Sequence, residues 1–322
     1  MKSMLGKHTD DELETTTNVK RVKAADSLQV FRELQMPIPG VLAQSYTFFS
    51  PHQAASEEYV LGVDEAGRGP VLGPMVYSAC FCPISAYVHL KSLGFADSKQ
   101  LSEDQRSKLF ARLQTEEHAG WAVRCISPRD ISQCMLRRTK YNLNSLAHDA
   151  TIQLLREINQ KANIRQVFID TVGPPASYQK KLQQLFPTME ITVAKKADSL
   201  YPIVSAASVC AKVVRDAHLE NWVFAEPLEV SRVFGSGYPG DPNTVRWLRE
   251  SLDPVFGYPS IIRFSWSTCT KLLEESAVAV VWADEDEKHT KLTSKWFGGA
   301  SNRRTRSKFF SRRPALILTT SL

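Results

Sequence analysis

The apolar run Tyr59-Val60-Leu61-Gly62-Val63 ends abruptly in two adjacent acids, Asp64 and Glu65, followed by Ala66-Gly67-Arg68-Gly69-Pro70. A short apolar run of this kind reads as a buried strand. Two carboxylates at the end of such a strand are costly unless something positive compensates them, and a metal ion does so most simply. The glycines let the backbone approach a ligand closely, and Arg68 between them offers a planar fork that matches phosphate. Acids fit for a metal, a tight backbone and a phosphate-binding arginine together point towards phosphodiester chemistry.

The 322 residues, 43% hydrophobic and 23% charged, suffice for one large core or two modest ones. No run of about 18 apolar residues occurs, so no membrane span is expected. Met1 to Glu14 mixes lysine with acids and has no apolar stretch of the kind a secretory signal needs. The six cysteines, at 80, 82, 125, 134, 210 and 269, form no paired CxxC motifs and lie mostly in apolar runs, as buried reduced thiols do. The net charge of +6 is uneven: Lys288 to Leu322 holds nine Lys/Arg and no acid, leaving 31 basic and 34 acidic residues elsewhere. Nucleic-acid binding by the body of the chain must therefore come from local arrangement rather than net charge.

Four segments are expected: a poorly ordered extension over 1–57 with one short helix from Ala25 to Gln35, a core over 58–225, a helical region over 226–287, and a basic tail over 288–322. After the first strand, Val71 to Phe81 reads as a second strand returning beside it. Ser102-Glu103-Asp104-Gln105 is a capping box opening a helix to about Glu117. A strand follows over Ala119 to Ile126, and Ser127-Pro128 opens another helix with proline at its first position. Asn144 to Lys161 is amphipathic and helical, and Gln166 to Ile169 is a short strand running into Asp170. A helix from Tyr178 to Phe186, a strand from Glu190 to Val193 and a small-residue helix from Pro202 to Ala225 complete the core. This order implies a mixed sheet flanked by helices.

Asp170 lies just beyond a strand, where ligand-facing residues of an α/β sheet tend to sit, and Asp198 precedes a helix. Each has a bland reading alone, Asp170 as a loop acid and Asp198 as a helix cap. Together with Asp64 and Glu65 they make four acids at strand ends or helix starts. Hard oxygen ligands of this kind select Mg²⁺ or Mn²⁺. Two such ions roughly 4 Å apart can activate water and stabilise a leaving oxygen without a histidine base. The spacing Gly67-x-Gly69-x-x-x-Gly73, followed by a β-rich run, misses the dinucleotide-binding pattern.

The stretch Val63 to Pro70 resembles the signature of type 2 ribonuclease H. Ala96-Asp97-Ser98-Lys99, Phe168 to Gly173, and Lys196-Ala197-Asp198 with Ala206 to Lys212 resemble its other blocks in the right order. Lys140 to Leu146 and Gly235-Ser236-Gly237-Tyr238-Pro239 resemble the catalytic subunit of the eukaryotic heterotrimeric branch. The resemblance covers about residues 58 to 270. It implies a ribonuclease H-like α/β core with a mixed central sheet, plus a helical C-terminal region. It also implies a metal-dependent endonuclease that hydrolyses the RNA strand of RNA–DNA hybrids and nicks 5′ of single ribonucleotides in duplex DNA, leaving 3′-hydroxyl and 5′-phosphate ends. By the same resemblance Asp64, Glu65, Asp170 and Asp198 bind Mg²⁺, with Mn²⁺ as substitute. Gly67, Arg68 and Gly69 contact 2′-hydroxyls, Ser98 and Lys99 hold phosphate, and Tyr238 packs on the nucleotide at an RNA-to-DNA junction. A 2′-hydroxyl is what distinguishes RNA locally, and stacking and point charges suit the other roles. Without the family, Tyr238 is an aromatic on an ordinary turn and Lys99 a solvated charge.

The resemblance further implies two accessory subunits, and the tail charge together with the family suggests a nuclear location. The basic tail, with Arg303-Arg304-x-Arg306-x-Lys308 and Arg312-Arg313, reads either as an import or nucleic-acid-binding patch or as a solvated tail. The apolar Pro314 to Leu318 is expected to dock on a partner. Two rivals remain: a nuclease of the same broad fold acting on DNA alone, and a non-catalytic hybrid-binding scaffold, whose signature would be loss of one of the four acids.

Overall fold

Strict alternation organises the centre of the molecule, because successive side chains of a strand point to opposite faces. In the computed structural model the described residues are 36, 42–52, 54, 56–95, 101–139, 141–171, 173–226 and 230–279. The chain divides into a unit Met1–Ala277 and a unit Val278–Leu322, and all the elements below lie in the first. The expected helix from Ala25 to Gln35, Ser98, Lys99 and the basic tail lie outside the described residues.

The elements in order are β1 (Tyr46–Phe49), β2 (Glu58–Ala66), β3 (Met75–Pro83), α1 (Tyr87–Ser92), α2 (Glu103–Gln114), β4 (Gly120–Ile126), α3 (Pro128–Leu136), α4 (Leu143–Asn159), β5 (Asn163–Asp170), α5 (Pro175–Leu185), β6 (Glu190–Ala194), α6 (Ala197–Leu200), α7 (Pro202–Glu220), α8 (Pro242–Glu250) and α9 (Ser267–Ser276). One six-stranded sheet runs β1-β4-β3-β2-β5-β6. The first four strands in that order are antiparallel to their neighbours, and β2, β5 and β6 are parallel. The mixed sheet expected from the sequence is therefore present.

Odd-numbered residues of β2 and β3, such as Leu61, Val63, Met75 and Ala79, pack with Leu154 and Ile158 of α4 and Leu182 of α5. Even-numbered ones, such as Val60, Val76 and Cys80, pack with Phe110 of α2 and Val204, Ala207 and Cys210 of α7. The small residues of α7 have a specific use. A Cβ on Gly62 would sit 2.5 Å from the carbonyl carbon of Ile203, so β2 and the start of α7 touch backbone to backbone. The expected caps are present: Ser102 and Gln105 form the capping box of α2, and Ser127 caps α3 ahead of Pro128.

Three expectations differ from the structure. Residues 46–49 fall in the segment expected to be poorly ordered, yet they form β1 on the edge of β4. Phe48 packs on Trp121 and the Tyr46 hydroxyl meets His218 at 2.8 Å, contacts far along the chain that supply the burial a four-residue strand lacks alone. The second strand starts at Met75 rather than Val71, because residues 71–73 pair with the C-terminal region instead. Val71 N–H donates to Gly237, Gly73 N–H to Ile261, and Arg263 N–H to Val71. The small-residue helix stops at Glu220 rather than Ala225, where the Asn221 amide turns back to donate to Ala217.

Candidate active site

Because β2 alternates, Asp64 and Glu65 do not point the same way. Asp64 faces α7, where the Ser208 hydroxyl hydrogen-bonds it, and its Oδ1 also accepts the Glu65 N–H at 2.8 Å. Asp170, at the end of the neighbouring β5, accepts the Ala197 N–H on its Oδ1 at 2.9 Å. That bond ties it to the turn carrying Asp198. Lys196 there has φ of 55°, a left-handed conformation costing roughly 1–2 kcal/mol for a residue with a Cβ, and it swings Asp198 into the buried first turn of α6. Asp198 is thus not a helix cap: Lys196 and Tyr201 stand at the cap positions of α6 and α7.

Asp170, at the end of β5, and Asp198, in the first turn of α6, both lie near enough to Asp64 for their charges to act on it. Burial first, and then the charges of Asp170 and Asp198, push the Asp64 carboxyl above the usual range against the opposing effect of Ser208. A buried carboxyl whose ionisation is opposed by two neighbouring acids is what a cation would relieve. Among the described residues no three His, Cys, Asp or Glu side chains form a ready-made cation cage. Mg²⁺ and Mn²⁺ bind through few carboxylates, waters and substrate phosphate rather than an all-protein cage. The donor set is wholly oxygen and suits such an ion.

Glu65 lies on the other face, directly across from Tyr77 of β3. Burial chiefly, then the Glu65 charge, holds the Tyr77 hydroxyl protonated, while Arg68 acts in the opposite sense. Tyr178 of α5 also feels Glu65. The structure therefore gathers three of the four acids and sets the fourth beside two buried tyrosines and Arg68.

Sequence reasoning missed the device behind the Gly67-Arg68-Gly69-Pro70 loop. Arg263 is wholly buried and spends its guanidinium on that loop's carbonyls. It donates from Nη2 to Gly67 (2.6 Å), from Nη1 to Pro70 (2.8 Å) and Arg68 (3.2 Å), and from Nε to Gly73 (2.9 Å). Trp266, whose ring lies 4.9 Å from the Arg263 guanidinium, donates its indole N–H to Gly69 at 3.1 Å. All four consecutive carbonyls are thus held from one side. A trans peptide sets its N–H opposite its C=O, so the N–H groups of Arg68 and Gly69 point away from Arg263 as a pair of outward donors. Burial, then the nearby Arg215 charge, lowers the Arg263 pKa to about 9. The one trace in the sequence is a charge inside the apolar run Ile261-Ile262-Arg263-Phe264.

Tyr238 is 54% exposed, and a Cβ on Gly69 would lie 2.9 Å from its ring. The ring therefore stands against the loop and leaves a face open. Its turn is held by Asp241, which accepts from Ser236 N–H and Oγ–H at 2.7 Å each and from Asn243 N–H at 2.9 Å. These bonds, the Ser236 amide first, draw the Asp241 carboxyl down to about 2. Gly67, Arg68, Gly69 and Tyr238 are therefore brought together around the loop.

A mixed sheet of this order, helices on both faces and acids gathered where its central strands end, defines a ribonuclease H-like fold. Residues 61–269 match the model of the family Ribonuclease HII. The chain is 49% identical over 263 residues to the A subunit of ribonuclease H2 from Homo sapiens, covering 80% of this chain and 88% of that one. It is 53% identical over 239 residues to the Bos taurus protein of the same name, covering 73% and 80%. Among solved structures it resembles the ribonuclease H2 from Pyrococcus horikoshii OT3, with a TM-score of 0.56 and 32% identity over 67% of this chain and 98% of that one. The chain belongs to the ribonuclease HII family and is an endoribonuclease.

Proposed function

We propose that this chain hydrolyses the RNA strand of RNA–DNA hybrids and nicks on the 5′ side of single ribonucleotides embedded in duplex DNA, leaving 3′-hydroxyl and 5′-phosphate ends. The observation that carries this reading is the loop clamped from behind by Arg263 and Trp266, which follows Asp64 and Glu65 directly in the chain and stands against the Tyr238 ring. Donors fixed on a rigid backbone can test for a 2′-hydroxyl, which a DNA nuclease has no reason to read. The exposed face of Tyr238 offers a stacking surface for the nucleotide beside it.

Asp64, Asp170 and Asp198 would hold divalent cations, Mg²⁺ with Mn²⁺ as substitute, and the family resemblance alone adds Glu65 to that set and two as the number of ions. When bound, these would supply an activated water and neutralise charge on the leaving oxygen. The chain's own residues do the rest. Ser208 and the Glu65 amide orient Asp64, the Ala197 amide orients Asp170, and Arg68 supplies positive charge for a backbone phosphate. Ser98 and Lys99 are assigned further phosphate contacts by the family resemblance. Residues 226–287 complete the substrate site, while two accessory subunits engage the tail over 288–322 and the protein works in the nucleus.

The test is strand-specific cleavage of three labelled duplexes, all-DNA, RNA–DNA hybrid and DNA with one ribonucleotide, with Mg²⁺ or chelator, for the chain alone and with accessory subunits. The expected result is metal-dependent cuts in the second and third only. Cutting of all-DNA would overturn the substrate assignment. No cutting by a folded complex would leave a hybrid-binding scaffold.

A further inference from the structure

Arg68 is gripped by a side chain from a different part of the sheet's rim. Its Nη2 donates to Oδ1 of Asn144, the second residue of α4. The start of that helix is itself fixed by Asn142, whose Oδ1 accepts the Ser145 N–H at 2.9 Å. Arginine has only donors, so the amide oxygen must face it and the amide nitrogen must face the other way. That nitrogen is the nearest atom, at 3.9 Å, to the Cβ position of Gly173, in the loop that leaves Asp170. One exposed amide therefore bonds the segment that leaves β2 and faces the segment that leaves β5.

The chemistry of the grip is specific. A carboxylate at this position would bind arginine more tightly but cancel its charge. An amide orients the guanidinium and leaves the charge in place. The Arg68 side chain also hydrogen-bonds the Tyr77 hydroxyl, so two uncharged groups, the Asn144 amide at the rim and Tyr77 beneath it, orient the guanidinium.

Building on the reading of the site as a nuclease, we propose that Asn144 is a positioning residue: its amide holds Arg68 between the two loops without neutralising it, reserving that charge for a phosphate of the bound nucleic acid. The grip is separate from the Arg263 clamp, which holds the loop's carbonyls rather than its side chain.

Asn144→Asp tests this directly, because it keeps a hydrogen-bond acceptor for Arg68 and adds a negative charge. Asn144 is exposed in the first turn of α4, where aspartate is favourable, so the melting temperature should hold. Binding of a labelled RNA–DNA hybrid in chelator should weaken roughly tenfold, the scale of one charge-assisted contact. The slope of log affinity against log salt should become shallower by roughly 0.7–0.9, one phosphate's share. Asn144→Ala, which frees Arg68 without neutralising it, should keep the parental salt slope while kcat falls with mispositioning. If Asn144→Asp matches the parent in affinity and salt slope, or loses only kcat, the inference is overturned. A parent that leaves hybrid uncut in every preparation overturns the nuclease reading and this inference together, whereas a cutting parent with an indifferent Asn144→Asp removes this inference alone.

Discussion

Replacing Arg263 with glutamine should damage both stability and catalysis, although the side chain faces away from the substrate side of the loop. Its four hydrogen bonds to carbonyls are charge-assisted, each contributing roughly 1.5–3 kcal/mol. Against them stands desolvation of a wholly buried cation. The fall of its pKa from 12.5 to about 9 corresponds to about 5 kcal/mol. The difference is about 1–7 kcal/mol, and a loss of about 3 kcal/mol, the lower figure for breaking a buried charged network, falls inside it. For a domain of this size that lowers Tm by roughly 6–12 °C. The loop would also lose its backing, and displacement of about 1 Å near a reacting centre can lower rate on the order of a hundredfold. The assay pairs a thermal melt with kcat/KM on a duplex carrying one ribonucleotide, measured well below the variant's Tm. Trp266→Phe, which removes a single bond to Gly69, should cost only about 1 kcal/mol. If Arg263→Gln melts like the parent, or if its activity at low temperature is unchanged, the clamp does not position the loop.

Other expectations follow from the same geometry. His218, buried against Tyr46, has its pKa lowered to about 4 by burial, so below pH 6.5 the unfolded chain binds a proton that the folded chain refuses. The contribution of His218 to stability should fall with pH across the window from 6.5 to 4, by about 3 kcal/mol. The raised Asp64 carboxyl opposes it over the same range, so it is read as parent minus His218→Gln. Urea midpoints of both proteins at pH 7 and 4.5 check it. Gly62→Ala drives a Cβ into the backbone of Ile203 and should cost roughly 3 kcal/mol or more, read as a lower Tm with β2 and α7 forced apart. An unperturbed melt would contradict that close approach. Asp170→Asn can still accept the Ala197 N–H, so its circular dichroism and melt should match the parent while turnover drops by on the order of 10³-fold. Near-normal rates would refute its assignment. Tyr238→Ala should cut activity at a lone ribonucleotide by roughly tenfold, the scale of one stacking contact, and equal rates would remove its junction role.

Much of the site is legible in the order of the amino acids. Asp64, Asp170 and Asp198 announce themselves as acids at strand ends or a helix start, and the three converge. Their mutual arrangement is less legible. Adjacent acids look like one pair in the sequence, yet a strand sends neighbours to opposite faces, and Glu65 stands with Tyr77 and Tyr178 rather than with Asp64. The alternation rule contains that answer, but only once the strand is known to continue regularly through residue 65.

Forces between near neighbours in the chain account for the features readable from the sequence: capping by Ser102 and Ser127, proline at the start of α3, apolar runs that become β2 and β5, and glycines where backbone must approach closely. Each depends on sterics and hydrogen bonds among residues a few positions apart. Long-range packing made β1, whose four residues gain their burial from Trp121 and His218. It also recruited Arg263 and Trp266 to a loop nearly 200 residues earlier. A guanidinium is tolerated in the interior only where enough acceptors converge on it, and which carbonyls converge is set by the path of the whole chain rather than by the residues beside it.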